Sequence, residues 1–444
     1  SADTSFNIKN EAVQPLGILL LRIMFDPNYS VIHMHNSLPG FKIHPRGLTN
    51  TGNICYMNSI LQVLLYCQPF NKLLKLIEDK SIGSLSKVSK TPLLDATLQF
   101  FNEFVTKTGE EPAKTTSLSP ENFYMNLISH EKFLHLKWGQ QEDAEEFLGY
   151  YLDGLNDEFL QTIKGLTTPA VDSLIQAFST ENSGEVEKIE RFKYDVKSTV
   201  KLIKNEPSAS EEDSTSTPED ADEWNEVGSN NKKISVKRTV EIEPTPITMI
   251  FGGQFKSVLT IPKNPGATQF LKSITLDPYQ HVQLDISEAS SIDEALLHLN
   301  QWEKISYKTK ENKEIQIKKQ TFVDKLPSIL IIHLKRFSFL KEKDVGIEKL
   351  RKKVEYLHLL HISKDIISSK NPRDENNQYR LIGVVYHHGS SAQGGHYTSD
   401  TKTGHQWMRI DDTQLKSVTE DEVLNGGVEE NIKNAYILLY ERLV

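Results

Sequence analysis

Residues Gly47–Leu65 read GLTNTGNICYMNSILQVLL, and the one reactive side chain in that run is Cys55. A polar turn with a glycine (Asn50, Thr51, Gly52, Asn53) precedes it, and Met57, Ile60, Leu61, Leu64 and Leu65 follow at helical spacing. The pattern predicts a buried helix with the thiol in its first turn. Unpaired N–H groups and the positive end of the helix dipole favour thiolate over thiol there, which makes Cys55 a candidate nucleophile. Taken alone, a cysteine at a helix start reads more readily as ordinary packing. Two distant runs, GGHYT at 394–398 and WMRIDD at 407–412, bear on the choice.

The chain has 444 residues, enough for two or three domains or one large catalytic domain with subdomains. Its net charge of −9 argues against a nucleic-acid backbone as the main partner. No apolar stretch reaches the ~18 residues that span a bilayer, so no membrane insertion is expected. The run Leu16 to Met24 is too short and carries Arg22. The chain opens at Ser1 without a secretory leader, as a trimmed piece of a longer protein would. Its two cysteines, Cys55 and Cys67, lie roughly 18 Å apart if one helix carries both, too far for a disulfide. Two unpaired thiols fit a reducing compartment, cytoplasm with the nucleus as a second location. Cys67 reads as packing at a helix end.

Residues 1–45 hold an apolar run from Pro15 to Phe25 and a loose strand pattern around Val31, Ile32 and Met34. They are expected to pack as an extension on a domain that begins near Pro45-Arg46-Gly47. From 46 to about 180 the pattern is helical, most clearly where Ala144, Phe147, Leu148, Tyr151, Leu152, Leu155 and Phe159 recur after a capping-box-like start at Asp143 and Glu146. Residues 205–230 are acidic and nearly free of large apolar side chains, as a flexible insert would be. Beyond 235 the period changes to two. Strands are expected over 234–242, 246–261, 279–286, 328–339, 379–387, 396–401, 405–411 and 434–441, and an exposed hairpin around the Lys-rich stretch 308–319. Helices first and antiparallel strands later indicate an α+β fold.

A thiolate that performs acyl transfer needs a base, a group that orients the base, and donors for the oxyanion. Among fourteen histidines, His396 is the best base, because the paired glycines Gly394 and Gly395 let another backbone approach closely. A tight turn centred on Thr403-Gly404 would set His396 directly opposite Asp411, at a separation of ~4.5–5.5 Å between Cβ atoms. Asp412 points to the other face, or takes the role if a bulge shifts the register.

The runs GLTNTGNICYMNSILQ (47–62), QQEDAEEF (140–147), LPSILIIHLKRF (326–337), GGHYT and WMRIDD, in this order, resemble the signature boxes of the ubiquitin-specific proteases, a family of papain-like cysteine peptidases. The resemblance covers about residues 45–441. Two further runs, TPITMIFGGQF (245–255) and DEWNEVGSNNK (222–232), resemble the subgroup of the fungal deubiquitinase that acts with a nuclear-transport-factor-like protein cofactor. The resemblance implies a helical thumb over 46–180, β-rich fingers over 234–325 and a palm over 326–444. It makes Cys55 the nucleophile, His396 the base, Asp411 the third triad member and Asn50 the side-chain oxyanion donor. It also makes Asp143 and Glu146 binders of the basic ubiquitin tail, and Phe337 and Tyr397 aromatics lining the tail channel, whose narrow end admits only glycine. Without the family, Asp143 and Glu146 read as a plain helix-start charge pair.

Ubiquitin and ubiquitinated proteins are the implied partners, with a protein cofactor that would bind upstream of this chain. Many family members hold a zinc ribbon in the fingers with two CxxC pairs. This chain has no cysteine after Cys67, so a four-thiolate site is impossible and no metal is expected. The pairs His33-x-His35 and His387-His388 read as structural or surface histidines. Three functions stay open on the residues: an active deubiquitinase, a peptidase for another ubiquitin-like tail, and an inactive ubiquitin-binding scaffold. Intact Cys55, His396, Asp411 and Asn50 argue against the last.

Overall fold

Every residue of the helix Cys55–Leu65 is buried: apolar side chains cover most of its surface, and the polar Asn58 and Gln62 donate to the Thr49 and Arg46 carbonyls. The computed structural model describes residues 13–32, 38–82, 88–105, 116–205, 236–239, 241–262, 270–308, 310–339, 347–368, 376–391, 394–425 and 433–443. His33 and His35, and all of the acidic insert after Asn205, lie outside the described residues.

The first half is a helical layer: α1 (Leu16–Phe25), α2 (Cys55–Leu65), α3 (Gln68–Lys80), α4 (Pro92–Glu103), α5 (Glu121–Ile128), α6 (Ala144–Lys164), α7 (Thr168–Glu181) and α8 (Val186–Ile203). The apolar periodicity of α6 is its buried face, from Ala144 and Phe147 to Phe159. Helix α1 is the apolar run after Pro15, and Leu19, Leu20 and Leu21 are buried in the same core as α2. No strand forms at Val31 and Ile32, where the chain bends, and the helical pattern runs past 180 through α8. The cysteines do not share a helix: α2 ends at Leu65, and Cys67 is the N-cap of α3.

The second half begins with β1 (Val236–Thr239), α9 (Pro246–Phe251), β2 (Gly253–Pro262), β3 (Phe270–Tyr279), β4 (Val282–Asp285) and α10 (Ile292–Asn300). It continues with β5 (Glu303–Lys308), β6 (Glu314–Lys325), β7 (Ile329–Lys335), β8 (Phe337–Phe339), β9 (Ile347–Lys349) and β10 (Leu359–His361). The last elements are β11 (Gln378–His388), β12 (His396–Thr403), β13 (Gln406–Asp411), β14 (Gln414–Val418), α11 (Glu420–Leu424) and β15 (Lys433–Arg442). Residues 246–251, expected as strand, are helical: Thr245 caps Ile247 and Thr248 with its hydroxyl and Pro246 opens the first turn, so local capping overrides the β-branched composition. Helix α10 lies between the strands expected over 279–286 and 328–339, in a stretch with no element expected.

Among the described residues, β1-β3-β2-β6-β5 form one five-stranded sheet, with β5 and β6 the expected Lys-rich hairpin. An eight-stranded sheet runs β14-β13-β12-β11-β15-β7-β4, with β10 beside β11. Most neighbours are antiparallel, as expected, but β1 with β3 and β4 with β7 are parallel. Strand β7 explains its own sequence. Ile329 and Ile331 face the helical core while Leu330, Ile332 and Leu334 face a second core under α10, so both faces are apolar. Helix α2 lies between α6 and the strands β11 and β12. That packing places the first turn of α2 beside the end of the sheet where β12 begins. Among the described residues, no helix is long and apolar enough to cross a membrane.

Candidate active site

The nucleophile loop is set by backbone conformation. Gly52 and Asn53 adopt φ of 86° and 56°, left-handed values that a glycine and an asparagine tolerate. The reversal delivers Cys55 to the first position of α2, where its side chain is almost fully buried. His396 enters from the start of β12 and faces the Cys55 thiol, the first of the groups that raise its pKa. The other side of the ring is held by a carboxylate, with Nε2 2.7 Å from Asp411 Oδ1 and 3.7 Å from Asp412 Oδ2.

The hairpin that brings His396 to Asp411 differs in register from the sequence expectation. Thr403 pairs with Gln406, so the two-residue turn is Gly404-His405, with Gly404 at φ 66°. His396 is therefore not directly opposite Asp411. The register has moved by two positions, which preserves the face of every side chain, and the pair meets along the diagonal. Asp412 sits at φ 50° in the turn between β13 and β14, turned back toward the ring.

Three histidines cluster here, and their environments separate them. Burial pushes His387 down to about 3 and His388 down to about 4. The ring of His387 sits among Phe337, Tyr397 and Tyr436, and His388 Nε2 is taken by the Thr398 hydroxyl at 2.7 Å. His396 alone is raised, to about 9, by Cys55 first and, against the effect of burial, by Asp411.

Asn50 lies beside the Asp412 carboxylate and favours its charged form, and its Oδ1 is buried without a partner. Burial raises the Asp412 carboxyl above its usual range despite the nearby His396. Asn50 thus ties the nucleophile loop to the β13–β14 turn, which Leu48 also reaches by donating its N–H to the Asp412 carbonyl at 2.9 Å.

The helix-start acids are not equivalent. Asp143 is the N-cap of α6: Oδ1 accepts from the N–H groups of Glu145 and Glu146, and Oδ2 accepts from Tyr436 Oη at 2.6 Å. Glu146 is exposed and its carboxylate bonds the Tyr150 hydroxyl one turn on, rather than reaching back to close the expected box. Phe337, Tyr397, Tyr436 and His387 pack edge to face or tilted, with ring centroids 5.0 to 6.2 Å apart. Tyr397 is buried and Phe337 half-buried in this wall. A Cβ on Gly395 would collide with the His387 ring and the His388 carbonyl, so the crowding backbone is the chain's own β11, while Gly394 is open.

Sequence reasoning missed several residues beside the site. Gln141 Nε2 lies 3.7 Å from Cys55 Sγ, and its signal was its place in the QQEDAEEF run. Glu145 accepts from His281 Nε2 at 2.6 Å and Gln283 Nε2 at 3.1 Å. Burial works against its ionisation, but the His281 bond, the nearby His333 and His281 rings and the Gln283 bond together outweigh it and hold the carboxyl at about 2. No local pattern announces a contact between α6 and a strand more than a hundred residues away. His396, Asp411 and Asp412 also lie close enough together to hold a cation, but this is the same trio that faces the thiol.

The model of the ubiquitin carboxyl-terminal hydrolase family matches residues 46–440. The chain belongs to the ubiquitin carboxyl-terminal hydrolase family. It is similar to ubiquitin carboxyl-terminal hydrolase 3 of Saccharomyces cerevisiae, 37% identical over 97% of this chain and 54% of that protein. It is also similar to ubiquitin carboxyl-terminal hydrolase 10 of Gallus gallus, 34% identical over 97% of this chain and 52% of that protein. The chain thus spans about half the length of these curated relatives. Among solved structures it is similar to the SAGA Ubp8/Sgf11/Sus1/Sgf73 module bound to ubiquitin aldehyde, with a TM-score of 0.58 and 20% identity, covering 90% of this chain and 70% of that one. That likeness carries the fold alone, an α+β arrangement of a helical layer against largely antiparallel sheets.

Proposed function

We propose that this chain is a thiol-dependent deubiquitinase that hydrolyses the isopeptide or peptide bond after the C-terminal glycine of ubiquitin. The observation that carries the reading is one imidazole, His396, facing Cys55 on one side and bonded to Asp411 on the other. Nε2 is committed to the carboxylate, so proton exchange with sulfur falls to Nδ1. The Cys55 thiolate adds to the carbonyl carbon of the ubiquitin tail while His396 holds the proton. Collapse of the tetrahedral intermediate expels the amine, which takes that proton, and leaves a thioester on Cys55. His396 then draws a proton from water, which attacks the thioester and releases the ubiquitin carboxylate.

The tail would run between the α6 N-terminus and the wall of Phe337, Tyr397 and Tyr436, passing Gly394 and Gly395 before reaching Cys55. Asp143 braces this passage through Tyr436, and exposed Glu146 is the freer carboxylate for an arginine of the tail. The helical layer, the eight-stranded sheet and the five-stranded sheet take the parts of thumb, palm and fingers. We further infer membership of the subgroup that works with a nuclear-transport-factor-like cofactor, bound outside this chain, on the support of the runs at 222–232 and 245–255. A cytoplasmic location, with the nucleus second, follows from two free thiols.

The test is reaction with ubiquitin carrying a C-terminal electrophile, followed by mass mapping. Cys55 should be labelled and Cys67 spared, since Cys67 is fully buried and burial pushes its thiol far up. Labelling only by another ubiquitin-like probe would change the substrate. Ubiquitin binding without labelling would make the chain a scaffold.

A further inference from the structure

We propose that the pair Asp400–Arg409 is a register lock for the hairpin β12–β13: it fixes the alignment that brings His396 to Asp411, and so positions the imidazole without touching substrate. The inference rests on the reading of Cys55 and His396 as acyl-transfer machinery and adds a positioning pair to it.

Asp400 lies in the middle of β12, fully buried and directly opposite Arg409 of β13. Arg409 meets it as a fork, with Nε donating to Oδ1 and Nη2 to Oδ2, each at 2.9 Å. From the other side β11 supplies the Tyr386 hydroxyl, which donates to Oδ2 at 2.6 Å. The guanidinium lies 5.8 Å from the centre of the Tyr386 ring, and its Nη2 also donates to the Glu422 carbonyl of α11 at 3.3 Å. One carboxylate therefore engages both strands that flank β12 in the sheet.

A slip of two residues would keep every side chain on its own face, so the burial pattern alone does not forbid it. The neighbouring hydroxyls of Ser399 and Thr401 are buried without partners and specify no alignment. The acid does. Moved by two in one direction, Asp400 would stand opposite Trp407 and Arg409 opposite Thr398, with the turn centred on Thr403-Gly404 as the sequence spacing suggests. Moved the other way, Asp400 would stand opposite Asp411 and Arg409 opposite Lys402. Only the observed alignment sets a guanidinium face to face with the buried carboxylate, and an uncompensated buried charge is heavily disfavoured. Either slip would shift β13 about 7 Å along β12. It would move Asp411 relative to His396 and pull the Asp412 carbonyl off the Leu48 N–H, so that carboxylate, imidazole and nucleophile loop no longer share one arrangement.

Buried ion pairs add little stability over a well-packed apolar pair but can specify register, and the experiment uses that difference. It compares parent, Arg409→Met, Arg409→Lys and the double variant Asp400→Leu with Arg409→Met. The double variant should unfold at a denaturant midpoint near that of the parent and above that of Arg409→Met, which leaves a bare buried acid. Its Tyr386 hydroxyl keeps a partner, the Val423 carbonyl 3.0 Å away. Per folded protein, kcat of the double variant on a ubiquitin C-terminal fluorogenic amide should nevertheless fall by about 10²-fold with KM little changed. The alkaline limb of kcat/KM that His396 sets near pH 9 should move to lower pH as Asp411 leaves the ring. Arg409→Lys keeps the acid compensated but lacks the fork, and should show a smaller loss of the same kind. The inference is overturned by a folded double variant with parental kcat and limb, the result for a merely structural pair. Should the double variant not fold, parental values of both in Arg409→Lys overturn it. A parent that iodoacetamide alkylates at Cys55, yet that fails to cleave the ubiquitin amide, defeats the deubiquitinase reading instead.

Discussion

His396 is distinguished from its neighbours by what touches it. Burial dominates at His387 and His388, where for His388 it outweighs the pull of Asp411, whereas His396 faces a thiol and two carboxylates. Because its pKa is raised, to about 9, the imidazolium is present below that value and is lost as pH rises through it. An activity that needs imidazolium beside thiolate should therefore show an alkaline limb in kcat/KM near pH 9. Asp411→Asn removes a hydrogen bond that raises the pKa, so the limb should move to lower pH and kcat should drop. Asp412→Asn should move it less, since Asp412 acts on the ring only from a distance of 3.7 Å. A profile that shifts more in Asp412→Asn would make Asp412 the orienting carboxylate. At this scale the sequence carried the pairing of His396 with Asp411 even though the expected turn was misplaced. An error of two positions keeps strand parity, whereas an error of one would have put the side chains on opposite faces. The QQEDAEEF run marks the neighbourhood of Gln141, but its contact with Cys55 was not legible, because it depends on how a loop between two helices folds back on the nucleophile turn.

Helix α2 presents Cys55 correctly only if it lies close on the sheet, and Gly383 of β11 is what allows that approach. A Cβ at Gly383 would run into Val63 of α2. Gly383→Ala should destabilise the fold by about 1–3 kcal/mol through overpacking, and should slow turnover by displacing the helix. Val63→Ala opens space at the same point, so the double variant should be more stable than the sum of the two single losses predicts. Denaturant unfolding of the four proteins measures the coupling, and strict additivity would show that the two residues do not meet. Elements with strong periodicity, such as α6 and β7, were readable from the sequence because one or both faces are buried along their whole length. Helices α9 and α10 were not. Thr-Pro before α9 and Ser291 with Glu294 at the start of α10 are capping signals. Around α9 a run rich in Ile and Thr mimics a strand, and at α10 the short helix leaves little periodicity, although a cap satisfies donors that no side-chain propensity can.

The eight-stranded sheet is shared by both cores, with helices on one face and α10 and α11 on the other. The five-stranded sheet is different: most of its side chains are half-buried, and β5 is exposed at five of six positions. Its edge is charged, with Lys304 directly opposite Lys318, which discourages pairing with other chains but contributes little to stability. Backbone hydrogen bonds in such a sheet should open without unfolding the rest. Hydrogen exchange should therefore be fast in β2, β3, β5 and β6 and slow in β7, β11 and β15. If this sheet forms the fingers that hold ubiquitin, adding ubiquitin to a Cys55→Ala variant should slow exchange there, while β7 stays as it was. The chain's two cysteines both lie in the helical layer, at 55 and 67, so strand pairing and not thiolate–zinc bonds must hold this sheet. A chelator should accordingly leave its exchange unchanged. Faster exchange with the chelator would reveal a metal held by other ligands, and no ubiquitin protection in β2 or β6 would remove this sheet from the binding surface.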